Sequence, residues 1–392
     1  MKRCLLVVEN LPLPRDRKVW MEARALQEGG WEVFTLSPGY PPFRWKEERE
    51  GIYLYHYPSP VYTRGKFIYL WEYMNAFFWI SLFVVYLVLR KRIGVVQFCN
   101  PPEIFFPLIL LLRLAGKHPL FDHHDLSPEM YLARFGRRDF FYWITRFCEM
   151  FTIISAEKVI CPNPYHLRII QERVPLARNK LILLPPSIDL KIFHPVSPSP
   201  ILRKGRKFIL GYIGVINPQD GVENLVRAVE VMVKDMDFRD FILYIMGDGD
   251  SREELEKMVR RKGLEEYIHF TGWLEKEERV REYISSCDLC LDCMPPNPYS
   301  HHSSLNKLLL YMAMGKPVVS FSLKVSREIL GEGGINVDDP TPEALAESII
   351  DILRREEDRE RKGREGMKRV KERFNWEKNR KVYLEIFEEY AG

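Results

Sequence analysis

Two rhythms of apolar and polar positions alternate along this chain. Short β-prone runs, "CLLVVEN", "WEVFTLSP", "GVVQFCNPP" and "HPLFDHHD", each begin apolar and turn polar at their C-terminal end. Between them, "DRKVWMEARALQEGG" repeats apolar residues at helical spacing and stops at Gly29-Gly30. Buried strands separated by amphipathic helices predict βαβ units and a parallel sheet. The second half repeats the scheme. "KFILGYIGVI", "FILYIMGDGD", "IHFTGW", "DLCLDC" and "KPVVSF" read as strands. "GVENLVRAVEVMVKD", "SREELEKMVRRKG", "LEKEERVREYISSC" and "SLNKLLLYMAMG" read as helices, the last closed by Gly315 and Pro317.

The joint between the halves is "LLPPSIDLKIFHPVSPSP", rich in Pro and Ser and without a period of its own. Two Rossmann-like halves joined there predict a deep cleft. The final "NWEKNRKVYLEIFEEY" is an amphipathic helix that can pack back across the joint. Parallel sheets bind ligands at the carboxyl ends of their strands. The polar residues gather at such ends: Asn10, Arg15 and Asp16, then Asn100, then His123, His124 and Asp125.

One segment breaks the pattern. Residues 67–89, "FIYLWEYMNAFFWISLFVVYLVL", carry Glu72 as their only charge and are followed by "RKR". At roughly 1.5 Å per residue this stretch is long enough to cross a bilayer. A true span would put the flanking strands of one sheet on opposite sides of a membrane, so the βαβ reading excludes it. A long core helix is one reading that survives. The other is an apolar helix partly sunk in a membrane surface, with Trp71, Trp79 and tyrosines at the interface and Arg90-Lys91-Arg92 among lipid headgroups.

Composition narrows the picture further. The chain has 392 residues, 46% hydrophobic and 29% charged, which suits two or three globular domains. A net charge of +4 with no dominant basic stripe gives no electrostatic case for nucleic acid. Seven cysteines, an odd number, argue for a reducing compartment. Three of them, Cys287, Cys290 and Cys293, read as small apolar residues of a buried strand; the competing metal-cluster reading lacks a fourth ligand at a suitable spacing. The N-terminal apolar run "CLLVV" is too short for a signal peptide. Neither "GYIGVI" nor "MGDGDS" is a G-x-G-x-x-G, and no P-loop is present, so a nicotinamide site lacks its fingerprint.

The order and spacing of "DRKVWMEARALQEGGWEVFTLSP", "NPPEIFF", "DHHDLSPEMY", "LPPSIDLKIFHP", "YIGVINPQDGVENLVRA", "IMGDGD", "FTGWL" and "NKLLLYMAMGKPVV" resemble the family 4 glycosyltransferases over nearly the whole length. The resemblance implies an α/β protein of GT-B fold, two Rossmann-like domains with parallel sheets facing across a cleft. It implies an acceptor-side domain over 1–195 with the apolar membrane-surface segment 67–92, a nucleotide-sugar-binding domain over 196–372, and a last helix, 373–392, packing back on the first. The activity implied is retaining transfer of a sugar from a nucleotide-sugar to a lipid-linked or polysaccharide acceptor. No metal or other cofactor is implied, because helix N-termini and basic side chains offset the leaving diphosphate. The implied location is cytoplasmic, peripheral on the inner face of the cell membrane.

The residues implied for catalysis are His124, Asp125 and Lys307. Those implied around the donor are Gly214, Val215, Asp220 and Gly221, then Gly247, Asp248 and Gly272, then Ser303, Ser304, Asn306 and Leu310. Arg15, Asp16, Arg17, Asp122 and Glu129 are the acceptor-side candidates. The chain departs from the family pattern where acids are expected: His302, Leu310, Ser322 and Val325 stand there instead. Two other readings therefore stay open, a GT-B relative that binds a glycan or partner with weakened or no catalysis, and a nucleotide-sugar epimerase.

Overall fold

The computed structural model of the chain describes residues 2–39, 42–59 and 66–391; the side chains of 66–70 lie outside that description, so the start of the 67–92 segment enters by its backbone alone. The chain forms two compact units, Met1–Pro185 with Glu377–Gly392, and Pro186–Trp376. Residues 186–195, expected with the first half, and 373–376, expected with the last helix, thus belong to the second unit.

Unit 1 runs β1 (Arg3–Val7), α1 (Arg17–Glu28), β2 (Glu32–Gly39), β3 (Lys46–Arg49), β4 (Ile52–Pro58), α2 (Lys66–Lys91), β5 (Val95–Cys99), α3 (Phe106–Leu114), β6 (His118–Asp122), α4 (Ser127–Phe135), α5 (Phe140–Ser155), β7 (Lys158–Cys161), α6 (Pro164–Arg173) and β8 (Leu181–Leu183). Its sheet has the order β3-β4-β2-β1-β5-β6-β7-β8. All neighbours are parallel except β3, which folds back on β4 through Glu50 and Gly51, both at positive φ. Every residue of β5 is buried, as a strand covered on both faces requires.

Unit 2 runs β9 (Phe208–Ile213), α7 (Val222–Lys234), β10 (Phe241–Met246), α8 (Arg252–Lys262), β11 (Ile268–Gly272), α9 (Glu277–Ser286), β12 (Leu289–Asp292), α10 (Asn306–Ala313), β13 (Val318–Phe321), α11 (Lys324–Leu330), β14 (Gly334–Val337), α12 (Pro342–Arg354) and α13 (Glu356–Arg373). Its parallel sheet is ordered β11-β10-β9-β12-β13-β14. The last helix, α14 (Trp376–Glu388), is counted with unit 1 from Glu377 onward. There Phe387 packs edge-on against Trp31, and the Trp31 indole N–H donates to Glu388.

Each sheet reverses its strand order beside its first strand, between β1 and β5 in unit 1 and between β9 and β12 in unit 2. Loops leaving those paired strands part in opposite directions and open a crevice at the carboxyl ends. The candidate residues concentrate at these two points.

Candidate functional site

In unit 2, the loop after β9 is tied to the loop after β10 by backbone bonds. Gly214 N–H donates to the Met246 carbonyl, Ile216 N–H to that of Asp248, and Ser251 N–H to that of Ile216. The approach is close enough that a Cβ on Gly247 would lie 1.8 Å from the Gly214 carbonyl oxygen. Gly247 is therefore demanded by loop-on-loop packing. The loop then turns through Asn217, whose backbone N–H donates to the Asp220 carboxylate, and Gly221, at φ +68, opens α7. Val215 accepts the Tyr212 hydroxyl on its carbonyl.

Lys307, on the first turn of α10, points inward beneath this loop. Its side chain is 12% exposed, and its ammonium lies 3.4 Å from where a Gly214 Cβ would stand. Nζ donates to the Tyr212 hydroxyl at 3.1 Å and sits over that ring. Asp292 Oδ1, at the end of β12, is also 3.1 Å away but off the hydrogen-bond axis, so that contact is one of charge. Ser320 donates to the other Asp292 oxygen. Burial works against the lysine's charge, but Asp292 outweighs it and holds Lys307 protonated far into the alkaline range.

The rest of the expected donor site divides. Ser303 is buried and donates its hydroxyl to the Tyr299 carbonyl, whereas the Ser304 hydroxyl oxygen is buried with no partner. Asn306 opens α10 on the exposed side. Asp248 accepts from the Gly249 backbone and from Arg252, which also lies against Gly272. His302 bonds the Pro298 carbonyl. Leu310 and Val325, where acids were expected, are buried at 5% and 3% exposure, so apolar residues suit both places. Cys287 and Cys293 donate to the backbone carbonyls of Tyr283 and Asp220, in keeping with small residues of a buried strand.

In unit 1, His124 and Asp125 follow β6. Both backbone N–H groups donate to Asn100 Oδ1, and Asn100 Nδ2 donates to the Asp125 carbonyl. One side-chain amide on the β5 loop thus fixes the turn that displays His124. The His124 ring meets Asp122 Oδ2 at 2.6 Å with its Nε2, the same oxygen that Lys18 Nζ reaches at 2.6 Å. Burial favours the neutral forms of both His124 and Asp122. The opposed charges win, raising the imidazole and holding the carboxyl far below its usual range. Beneath them Gln97 donates to Asp122 and Glu22, and accepts the Tyr383 hydroxyl of α14 at 2.9 Å.

The acceptor-side candidates separate. Asp16 caps α1 by accepting from Val19 N–H, between Arg15 and Arg17. Asp122 is 1% exposed, and its Oδ2 takes Lys18, Gln97 and His124 together, so it orients His124. Glu129 is buried in an ion pair with Arg173, which also holds Glu149. Sequence reasoning passes over Lys18, Gln97 and Tyr383 in unit 1, and over Tyr212 and Asp292 in unit 2. Asp292 and Gln97 carry a signal, each a polar residue inside an otherwise apolar strand.

Cys99, Asp122 and His124 bring potential metal-ligand atoms within 4.8 Å of one another. A metal ion fits them poorly: the Lys18 ammonium already sits on the Asp122 oxygen, and burial pushes the Cys99 thiol well above its ordinary value.

Two family profiles match this chain, "Glycosyltransferase Family 4" over residues 17–192 and "Glycosyl transferases group 1" over residues 207–355. An uncharacterized glycosyltransferase of Methanocaldococcus jannaschii is 29% identical over 184 residues, 46% of this chain and 45% of that protein, so the match spans less than half of the relative. The human alpha-1,3/1,6-mannosyltransferase ALG2 is 24% identical over 92% of this chain and 89% of its own length. Among solved structures, sucrose-phosphate synthase from Thermosynechococcus elongatus superposes with a TM-score of 0.83 at 19% identity, over 99% of both chains. Anabaena HepE in complex with UDP-glucose superposes with a TM-score of 0.72 at 16% identity, over 99% of this chain and 100% of that one. At those identities the superpositions bear on the fold, two parallel-sheet α/β domains of GT-B type.

Proposed function

Since this chain belongs to the family 4 glycosyltransferases of GT-B fold, we propose that it moves a sugar, with retention, from a nucleotide-sugar to a lipid-linked or polysaccharide acceptor. The observation that carries the reading is Lys307: a protonated, nearly buried ammonium at the start of α10, under the Gly214 loop and at the point where the sheet order reverses. A cation at a helix start there suits a diphosphate, whose departure is the costly part of glycosyl transfer. The UDP-glucose bound by HepE, which has the same fold, supports a nucleotide-sugar as donor. Unit 2 is the donor side, with Gly214, Val215, Gly221, Ser304 and Asn306 around the phosphates. Asp248, Gly272 and Leu310 lie toward the nucleoside.

Unit 1 is the acceptor side. His124, oriented by Asp122 and Asn100, hydrogen-bonds the transferred sugar, with Asp125, Arg15 and Arg17 beside it. No metal enters this chemistry, and the apolar segment 67–92 holds the enzyme on the inner face of the membrane. Binding of UDP, GDP and ADP by calorimetry tests the donor side, and sugar release from UDP-, GDP- and ADP-sugars with and without a polyprenyl-phosphate-linked acceptor tests the reaction. Release only with acceptor is the expected result. Failure to bind any nucleotide diphosphate at millimolar concentration overturns the reading.

A second reading, a relative that binds without turnover, is favoured by one observation: Leu310 is buried where the resemblance implies an acid. Diphosphate binding without sugar release under any acceptor would establish it.

A further inference from the structure

Helix α2 carries two apolar stripes. Ala76, Ile80, Val84 and Leu87 are buried on the sheet. Trp71, Met74, Phe78, Leu82, Val85 and Leu89 recur at spacings of three and four, and are exposed by 39% to 73%. One stripe suffices to dock a helix on a sheet, so a second, exposed stripe has no use in the fold of this unit. Helix α3 repeats the feature with Leu110, Leu111 and Leu114, the last 79% exposed. So does α5, where Phe140, Trp143, Ile144 and Phe147 follow an i, i+3, i+4, i+7 pattern facing outward.

These stripes adjoin. The inner faces of α2, α3 and α5 share one core cluster on one face of the first sheet. Phe77 of α2 stacks on Phe105 at the start of α3, and Phe106 of α3 meets Phe147 and Phe151 of α5 with ring centroids 5.9 and 5.7 Å apart. Basic residues rim the surface. Arg90 and Arg92 close α2, Arg113 ends α3, and Arg137 and Arg138 precede α5, all exposed. Of the acids of these same segments, Glu103 and Glu149 are buried, Glu72 of α2 is half-buried near Glu9, and Asp139 caps α5 and binds Arg137.

We propose that α2, α3 and α5 together form a docking platform for an anionic lipid bilayer, lying in the plane of its interface. This deepens the membrane part of the function proposed above and rests on it. Aromatic and aliphatic side chains enter the acyl boundary, and the arginines meet headgroup phosphates. The platform does not span. Although α2 is long and apolar enough to cross a membrane, it connects β4 and β5 of one sheet, and its inner stripe is committed to that sheet.

The test is flotation of the full chain with vesicles of phosphatidylglycerol and phosphatidylcholine, or of phosphatidylcholine alone. The expected result is flotation with the anionic vesicles, at least tenfold weaker with the neutral ones. The double substitution Trp143→Glu with Phe147→Glu, both on α5, lowers partition at least tenfold with an unchanged melting temperature. If α5 variants float as the wild type does, the three-helix platform is overturned while attachment through α2 survives. Wild-type protein that stays at the bottom and sediments as a dimer overturns it in favour of a second copy on this face. Resistance to alkaline carbonate extraction overturns it in favour of a span. Nucleotide diphosphate binding, measured on the same samples, reports the donor side alone and keeps failure of the two proposals apart.

Discussion

The two units reverse their strand order at the same point, beside the first strand, and invert each other's chemistry. Among the described residues, unit 2 buries a single carboxylate, Asp292, paired with Lys307, whereas unit 1 buries six: Glu9, Glu22, Glu103, Asp122, Glu129 and Glu149. On the outside the contrast reverses. Of the twenty exposed large hydrophobic side chains among the described residues, only Ile201 belongs to unit 2. The difference teaches that sheet topology decides where a crevice opens and leaves open what it holds. Unit 2 uses the reversal point for one fixed charge pair. Unit 1 uses it for a hydrogen-bonded network in which Asp122 is held ionised while burial raises Glu22, and turns its surplus apolar surface outward.

The strongest way to break the contrast is Lys307→Ala. It strands Asp292 in the core, and an uncompensated buried charge costs about 3–5 kcal/mol. Unit 2 should melt early, and affinity for a nucleotide diphosphate should fall at least hundredfold by calorimetry. Combining Lys307→Met with Asp292→Asn should restore most of the stability and none of the binding. Recovery of both would show that Lys307 serves the fold alone.

Next in size, Leu310→Glu gives unit 2 a buried acid of the kind that fills unit 1. With 5% exposure at this position, the carboxylate is desolvated, and a loss of roughly 2–4 kcal/mol is expected without ligand. If the site meets ribose hydroxyls, millimolar nucleotide should recover part of that loss in a thermal melt. A melt insensitive to nucleotide would place Leu310 outside the donor site.

The third prediction sharpens the comparison through pH. Burial pushes the Glu103 carboxyl up to about 7 and the Glu9 carboxyl up to about 8, the latter helped by Glu72. A raised acid keeps its proton in the fold and loses it when unfolded. Its stabilisation is therefore full below the ordinary carboxylate range and fades as pH rises toward 7–8. Asp122 and Glu149, both lowered, act oppositely and weaken the fold only in acid. Unit 1 should thus be most stable in mildly acid solution. Glu103 alone accounts for roughly 3 kcal/mol over the full span, at 1.36 kcal/mol per unit. Unit 2, with Lys307 charged throughout and the His269 and His301 imidazoles lowered by burial, should instead gain slightly toward neutral pH. Hydrogen exchange resolved by unit between pH 5 and 8 reads both, and Glu103→Gln should reduce the slope of unit 1 to the share of the remaining raised acids. Stability that falls with rising pH in unit 2 and not in unit 1 would reverse the assignment.

Much of this architecture is legible in the residues, because helices such as "GVENLVRAVEVMVKD" carry a helical period and apolar runs such as "FILYIM" are of strand length and end in a Gly-rich turn. The platform is less so. "FFYWITRFCEMFTIIS" is apolar all round, and nothing local says which stripe meets the sheet and which faces out. The turn that shows His124 is readable as a polar strand end, but its support is not. Gln97 and Tyr383 are 286 residues apart in sequence and meet only once the sheet and α14 are assembled. Lys307 is visible as the basic residue of a helix start. That Asp292 compensates its charge depends on the adjacency of β12 and α10, which no spacing encodes.

The smallest effect asks how far that remote support matters to the site. Tyr383→Phe removes the hydroxyl that fills Gln97 Oε1 and leaves a buried carbonyl oxygen without a donor, a cost of about 1–2 kcal/mol. Such a loss alone would mark an ordinary packing residue. Gln97, however, also donates to Asp122, which raises the His124 imidazole and holds its ring. If Tyr383 positions that chain, freeing Gln97 loosens Asp122, and the His124 pKa moves down toward its ordinary value in an NMR titration. Turnover should fall a few-fold through kcat, with KM for the donor unchanged, because the function proposed above gives the donor to unit 2. A destabilised variant with an unmoved His124 titration would confine Tyr383 to anchoring α14, and the network of unit 1 would then act without its outermost member.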